Sequence, residues 1–410
     1  MSKSAPHALI LVENLPVPFD RRVWQEAQTL RDAGYKVSVI CPKGKGHDAG
    51  HEVIDGIAIW RHPLFQAKSA RGYLLEYPMA LICQFWLSLR VRLARGRIDV
   101  IQACSPPDLL FLVALPHWLS GTRFIFDHHD LSPELFISKF GKTGFFYKML
   151  CFFERRTFAM ASAAIATNET FRDIAIARGG MDPNRVFVVK SYPRAERFKR
   201  TDPDPALVIA GQHLVGYIGI MGAQDGVDTL VDAIHEIRQT HGREDIACLI
   251  IGDGPELPAL QAQTTRLGLD DSVTFTGFLS GPALMAHLSA LDLGVIPDPP
   301  NEFNNKLSMN KVFEYMMMGL PFVQFNLTQA RAEAGGAAVI IKEHSAATLA
   351  QAIIDLAGDP ERRAAMGRLG QETAAREFQW SREAARYLEA YACALAPRKD
   401  RMPAASKTRS

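Results

Sequence analysis

Short β-branched apolar runs alternate with longer helical patterns from one end of this chain to the other, and the alternation starts afresh near residue 211. Such alternation predicts parallel sheets whose strands are joined by crossover helices. In the first half the expected strands are residues 8–13, 36–41, 57–60, 100–103, 124–127, 163–167 and 186–189, with helices at 21–33, 74–94 and 168–178. In the second half they are 213–217, 247–251, 273–276, 293–296, 322–325 and 338–341, with helices at 228–240, 257–267, 311–318 and 346–357. A chain of 410 residues is more than one hydrophobic core usually organises. The expectation is therefore α/β with two doubly wound domains, 1–191 and 211–380. Pro193, Pro203 and Pro205 mark residues 192–210 as a linker. Residues 381–395 read as a final helix and 396–410 as a disordered basic tail. In open parallel sheets ligands bind beyond the carboxyl ends of the strands, so two such domains facing across a cleft can share one substrate site.

A formal net charge of +2 is too balanced for nucleic acid to be the main partner. The six cysteines are scattered and form no Cys-x-x-Cys pair, which suits reduced thiols in a cytoplasmic protein. No signal-peptide pattern precedes residue 8, and the longest apolar stretch, 78–89, falls short of the roughly 20 residues a membrane span needs.

In the second half, Gly219-Ile220-Met221-Gly222-Ala223-Gln224-Asp225-Gly226 follows the first strand. Glycines between strand and helix let backbone amides approach an anion, though the same pattern also serves plain strand-to-helix geometry. The spacing is not Gly-x-Gly-x-x-Gly, which disfavours hydride chemistry, and no cofactor is expected. Gly252-Asp253-Gly254-Pro255-Glu256 reads as a tight turn into a helix, and Gly277-Phe278 ends the third strand. Ser308 or Asn310 can cap a helix starting near Lys311 that Gly319 and Pro321 terminate. Free amides at that start, with Lys311 beside them, suit a diphosphate, and Glu314 can accept two hydrogen bonds from a ribose diol. The alternative is an ordinary helix with a dipole-stabilising glutamate and a surface lysine.

Together these motifs resemble, in order and spacing, the nucleotide-sugar domain of glycosyltransferase family 4, and the resemblance covers most of the chain. It implies the GT-B fold, two Rossmann-like domains facing across a cleft, and a metal-independent, generally retaining sugar transfer. The final helix would cross back to the first domain. By this resemblance Glu314 corresponds to the second glutamate of the family's Glu-x7-Glu motif and holds the donor ribose, Gly222 lines the diphosphate, and Phe278 presents backbone to the base. Three positions depart from the pattern. Lys306 stands where many members have their first glutamate, while Ile220 and Asp225 replace the arginine and lysine that neutralise the donor diphosphate. Lys311 and Lys306 are the candidates to supply that charge, beside Asn310. The variant pattern is similar to a branch associated with bacterial surface polysaccharides.

In the first half, Asp127-His128-His129-Asp130-Leu131-Ser132-Pro133-Glu134 follows a strand end. No regular spacing puts these groups on one face for a metal, and none is expected. One histidine could equally belong to the core. The resemblance implies that His129 and Asp130 orient the acceptor hydroxyl or the donor sugar. Asp20 can cap the first helix, which places Arg21 and Arg22 at an end where cations are disfavoured. Either one of them meets a phosphate, with Glu134 nearby on the acceptor side, or both face solvent.

Basic and aromatic residues mix in 68–97, where Lys68, Arg71, Arg90, Arg92, Arg95 and Arg97 surround Leu74, Leu75, Phe85 and Trp86. The same holds in 140–158, around Lys142, Phe145, Phe146, Lys148, Phe152, Arg155 and Arg156. Interfacial helices look like this, and so do core helices of such a domain. The reading at this point is a glycosyltransferase taking a nucleotide diphosphate sugar, uridine-linked, to a lipid-linked or growing glycan acceptor, with peripheral contact at the inner face of an anionic membrane. A sugar-nucleotide epimerase or a non-catalytic scaffold of the same fold are the other two classes.

Overall fold

The computed structural model describes residues 5–63, 70–141, 143–194 and 196–397. Lys68, Lys142 and residues 398–410 of the basic tail lie outside the described residues, as do the side chains of Arg71, Leu74 and Leu75. The chain divides into two compact units: Met1–Ile137, Gly141–Lys190 and Ser381–Ser410 form one, and Ser138–Phe140 with Ser191–Trp380 the other.

The first unit runs β1 (His7–Leu11), α1 (Arg21–Asp32), β2 (Lys36–Pro42), β3 (His51–Ile54), β4 (Ile57–His62), α2 (Ala70–Arg95), β5 (Val100–Cys104), α3 (Phe111–Leu119), β6 (Arg123–His128), α4 (Ser132–Phe140), α5 (Phe145–Met160), β7 (Ala163–Ala166), α6 (Glu169–Ala177) and β8 (Val186–Val188). Its sheet has the order β3-β4-β2-β1-β5-β6-β7-β8. All pairings are parallel but β3–β4, a hairpin closed by Asp55 and Gly56, both at positive φ. Asp-Gly suits such a two-residue turn because both positions need left-handed backbone. β3 was not expected; its partly exposed edge position carries no apolar run.

The second unit runs β9 (His213–Ile220), α7 (Val227–Gln239), β10 (Ile246–Asp253), α8 (Leu257–Arg266), β11 (Val273–Gly277), α9 (Gly281–Ala290), β12 (Leu293–Ile296), α10 (Asn310–Met318), β13 (Phe322–Phe325), α11 (Thr328–Ala334), β14 (Ala338–Ile341), α12 (Ala346–Ala357) and α13 (Pro360–Glu377). Its all-parallel sheet has the order β11-β10-β9-β12-β13-β14. Apolar clusters cover both faces: α7 and α12 pack on one around Val215, Ile250 and Phe325, and α10 packs on the other around Leu249, Phe313 and Phe322. Buried on both sides, such strands read as continuous apolar runs, which is why they were legible.

The stretch expected as a linker, 192–210, is anchored rather than loose. Tyr192 stacks on Phe378 at 4.8 Å, Phe198 is buried, and Arg200 Nε donates to the Met318 carbonyl. α14 (Trp380–Leu395) falls with the first unit from Ser381 onward, where the Lys190 amide donates to the Glu383 carboxylate at 2.7 Å.

Candidate functional site

In each sheet the direction of winding reverses next to the first strand, at β1/β5 in one unit and at β9/β12 in the other. The carboxyl ends of strands flanking such a reversal leave a crevice where ligands of open α/β sheets bind.

In the first unit, the chain beyond β1 turns into α1, capped as expected by the Asp20 carboxylate, which accepts from the Val23 amide at 3.0 Å. Arg21 is exposed, but Arg22 is buried. Its guanidinium lies 3.1 Å from Asp127 Oδ1, 3.0 Å from Glu26 Oε1 and 2.8 Å from His129 Nε2, and donates to the Val189 carbonyl at 2.9 Å. Arg22 therefore does not face solvent: internal carboxylates, one of them a turn along its own helix, account for a cation at a helix start. Burial opposes the charge on Arg22, yet Asp127 and Glu26 hold its pKa above the usual value. Burial would raise Asp127, but the charges of His129 and Arg22 keep it well below the carboxylate range. Glu26 is pushed well up, by burial and then by Asp127.

The side chains of Glu26, Cys104, Asp127 and His129 offer ligand atoms within 4.8 Å of one another, a grouping that could suggest a metal. The donor set does not fit one. Arg22 already places a fixed cation against three of the four, and burial first, then Asp127, raises the Cys104 thiol far above its ordinary pKa.

His129 Nε2 stands 2.7 Å from Asp127 Oδ2, and Ser105 Oγ accepts from the His129 amide at 2.9 Å and more weakly from that of Asp130 at 3.4 Å. His128 points the other way, into a cage of Phe126, Phe158 and Phe171, with Nε2 3.4 Å from Glu154 Oε1. Beside it, burial pushes Asp108 up to about 7, against the charge of His128. Glu134, expected on the acceptor or phosphate side, is instead buried in a bidentate pair with Arg178 at 2.7 and 3.1 Å. Its carboxylate already has a matching fork of donors in Arg178.

In the second unit the carboxyl ends of β9, β10, β11 and β12 bring together residues 219–226, Asp253, Phe278 and the segment from Asp298 to α10. Two glycines here are required by contact. A Cβ on Gly252 (φ +143°) would stand 1.8 Å from the Gly219 carbonyl oxygen, and one on Gly226 (φ +66°) 2.3 Å from that of Pro297. Asn304 Nδ2 donates to the Gln224 and Pro299 carbonyls, both at 2.9 Å, tying the two loops together.

Several expectations change at this point. The Gly222 amide, expected toward the diphosphate, donates to Asp225 Oδ2 at 2.9 Å. Lys311 is buried and pairs with Asp298 at 2.7 Å, 4.0 Å from Asp225 and over the Tyr217 ring at 4.8 Å. Burial works against its charge, but Asp298 keeps its pKa above the usual value. Lys306 pairs with Glu302 at 2.9 Å. Neither Ser308 nor Asn310 caps α10: its N-cap is Met309, with no side-chain bond, and Ser308 Oγ donates to Glu333 at 2.6 Å. Asn310 is exposed at the first position of that helix, Glu314 is buried one turn further, and Phe278 and Ile220 are exposed at their strand ends.

The sequence reading passed over Gln102, Ser105, Asp298 and Asn304. Gln102, Ser105 and Asp298 are lone polar residues in or beside apolar runs, Asn304 lies within a polar stretch, and buried polar groups require partners. That requirement was the available signal.

Two Rossmann-like sheets, each with its polar groups gathered at the carboxyl edge, define a protein of GT-B fold. Residues 20–191 match the family described as Glycosyl transferase 4-like domain, and residues 212–359 match Glycosyl transferases group 1. The chain belongs to the GT-B glycosyltransferases. It is similar to the alpha-D-kanosaminyltransferase of Streptomyces kanamyceticus, 26% identical over 222 residues, 52% of this chain and 55% of that protein. It is similar also to a GDP-mannose-dependent alpha-(1-6)-phosphatidylinositol monomannoside mannosyltransferase of Mycobacterium tuberculosis, 31% identical over 166 residues, 39% of this chain and 42% of that one. The chain spans about half the length of the curated relatives it matches. Among solved structures, a sucrose-phosphate synthase from Thermosynechococcus elongatus superposes with a TM-score of 0.76 at 16% identity, over 94% of this chain and 98% of that one.

Proposed function

We propose that this protein transfers a sugar, with retention, from a uridine-diphosphate donor held by the second unit to a lipid-linked or growing glycan acceptor in the building of bacterial surface polysaccharide. The observation that carries the donor assignment is the convergence, at the β9/β12 reversal, of the 219–226 turn with the start of α10, whose N-cap residue Met309 makes no side-chain bond. Uncapped helix amides are ready donors to phosphate, and their worth grows as charge develops on the departing diphosphate. Glu314 holds the ribose. His129 and Asp130 orient the acceptor hydroxyl, and the leaving phosphate takes its proton, so no strong protein base is needed.

A lipid-linked acceptor is supported by the surface of the first unit. Met79, Ile82, Trp86 and Leu93 are exposed along one face of α2, and Phe145, Phe146 and Phe152 are exposed on α5 beside Arg155 and Arg156. Apolar side chains bordered by cations suit the interface of an anionic bilayer, where the protein would lie at the inner face of the cell membrane. No helix among the described residues is long and apolar enough to cross one.

One observation favours a second reading, a donor-binding protein without transfer: Asp225 sets a carboxylate on the Gly222 amide and within 4.0 Å of Lys311, where phosphate would need positive charge. A single assay separates these. Uridine- and guanosine-diphosphate hexoses are incubated with the protein and a polyprenyl-diphosphate sugar in anionic vesicles, and products are read by mass spectrometry. Glycosylated lipid from the uridine donor is the expected result. An altered sugar nucleotide in the control without lipid would mean an epimerase, and no product from any donor would favour the binding protein.

A further inference from the structure

We propose that Gln102 is a positioning residue for His129, and that α14 holds it in place through Tyr387 and Tyr391. The inference rests on the reading of His129 as a group acting on the acceptor. Gln102 lies in the middle of β5, fully buried. Its Nε2 donates to Glu26 Oε2 and to Asp127 Oδ2, both at 2.7 Å. Its Oε1 accepts from the hydroxyls of Tyr387 at 2.6 Å and Tyr391 at 2.7 Å. Two donors and two acceptors are all that a primary amide offers, and all four are used. Turning the amide over would set its oxygen against the Asp127 carboxylate and its N–H groups against the two phenols, so one orientation is favoured.

That orientation bears directly on His129. Asp127 Oδ2 is shared between Gln102 Nε2 and His129 Nε2, each at 2.7 Å. His129 Nε2 also lies 2.8 Å from Arg22 Nε. It therefore has two competing bonds, donating its proton to Asp127 or accepting one from Arg22. The balance follows the electron density on Oδ2, which Gln102 withdraws by donating to it. The charged and titratable groups around the ring are Arg22 and Glu26 from α1, Cys104 from β5 and Asp127 from β6. Tyr387 and Tyr391, one helical turn apart on α14, complete the set behind Gln102. A helix at the far end of the chain is thus linked by hydrogen bonds to the carboxylate partner of a residue that follows β6.

The test is nuclear magnetic resonance of ¹⁵N-labelled histidine rings in the full chain, with His129→Gln used to assign the His129 signals. In the double variant Tyr387→Phe/Tyr391→Phe the His129 titration midpoint is expected to rise by about one unit. Turnover should fall about tenfold while the donor KM stays unchanged. Gln102→Met is the second variant, predicted to shift the midpoint in the same direction should the double variant fail to fold. An unchanged midpoint in a folded variant overturns the inference, since a packing role would alter stability alone. Wild-type transfer by His129→Gln would instead remove His129 from the chemistry, a failure of the acceptor-side reading that the ring titrations register separately.

Discussion

Replacing Glu314 by alanine should lower the rate of sugar transfer by ~10²–10⁴-fold and leave the fold intact. Glu314 sits one turn into α10, buried, next to a helix start whose N-cap residue, Met309, makes no side-chain bond. A carboxylate there can bond both hydroxyls of a ribose, and hydrogen bonds to charged groups contribute about 1.5–3 kcal/mol each, so losing two costs about 3–6 kcal/mol of donor binding. The loss should appear largely in the donor KM, because the ribose is bound alike in the ground and transition states. Steady-state kinetics over a range of donor concentrations measure it. Transfer within a factor of about three of wild type would be too small for even one such bond.

Arg22→Met is expected to act on stability rather than on donor affinity. Its guanidinium is the fixed cation among Asp127, Glu26 and His129. Removing one partner of a buried pair strands the other charge and typically costs about 3–5 kcal/mol. The unfolding midpoint should fall by about 10 °C. Adding Asp127→Asn removes the stranded carboxylate and should recover part of the loss. A surface arginine holding a phosphate would behave oppositely, with an unchanged midpoint and weaker substrate use. Calorimetry of the single and double variants separates the two.

The strands were legible wherever both faces are buried. Residues 293–296 and 322–325, buried throughout, were read to the residue, and so was the partly buried edge run 338–341, whose Val339, Ile340 and Ile341 favour a strand. β3 escaped because an edge strand in a polar hairpin has no such run; only its Asp-Gly turn marked it. α3 escaped because Pro116 interrupts an otherwise helical stretch. At the candidate sites, residue types were easier to read than partners. The oddity of Arg21 and Arg22 at a helix start was visible, but the explanation for Arg22 is Asp127, 105 positions away. Gln102 was invisible for the same reason: its partner Tyr387 is 285 positions distant, and only folding brings the pair together. Lys311 was read as a free cation because Asp298, which neutralises it, stands in a loop without any recognisable motif.

The central claim is that the crevice at the β9/β12 reversal is a nucleotide-sugar site. Hydrogen exchange with and without a uridine-diphosphate hexose tests it most directly, since bound phosphate should protect the amides it engages. The account predicts slowed exchange in residues 219–226 and at the start of α10, and loss of that protection in Glu314→Ala. Protection confined to other parts of the chain, or none at saturating donor, would contradict it.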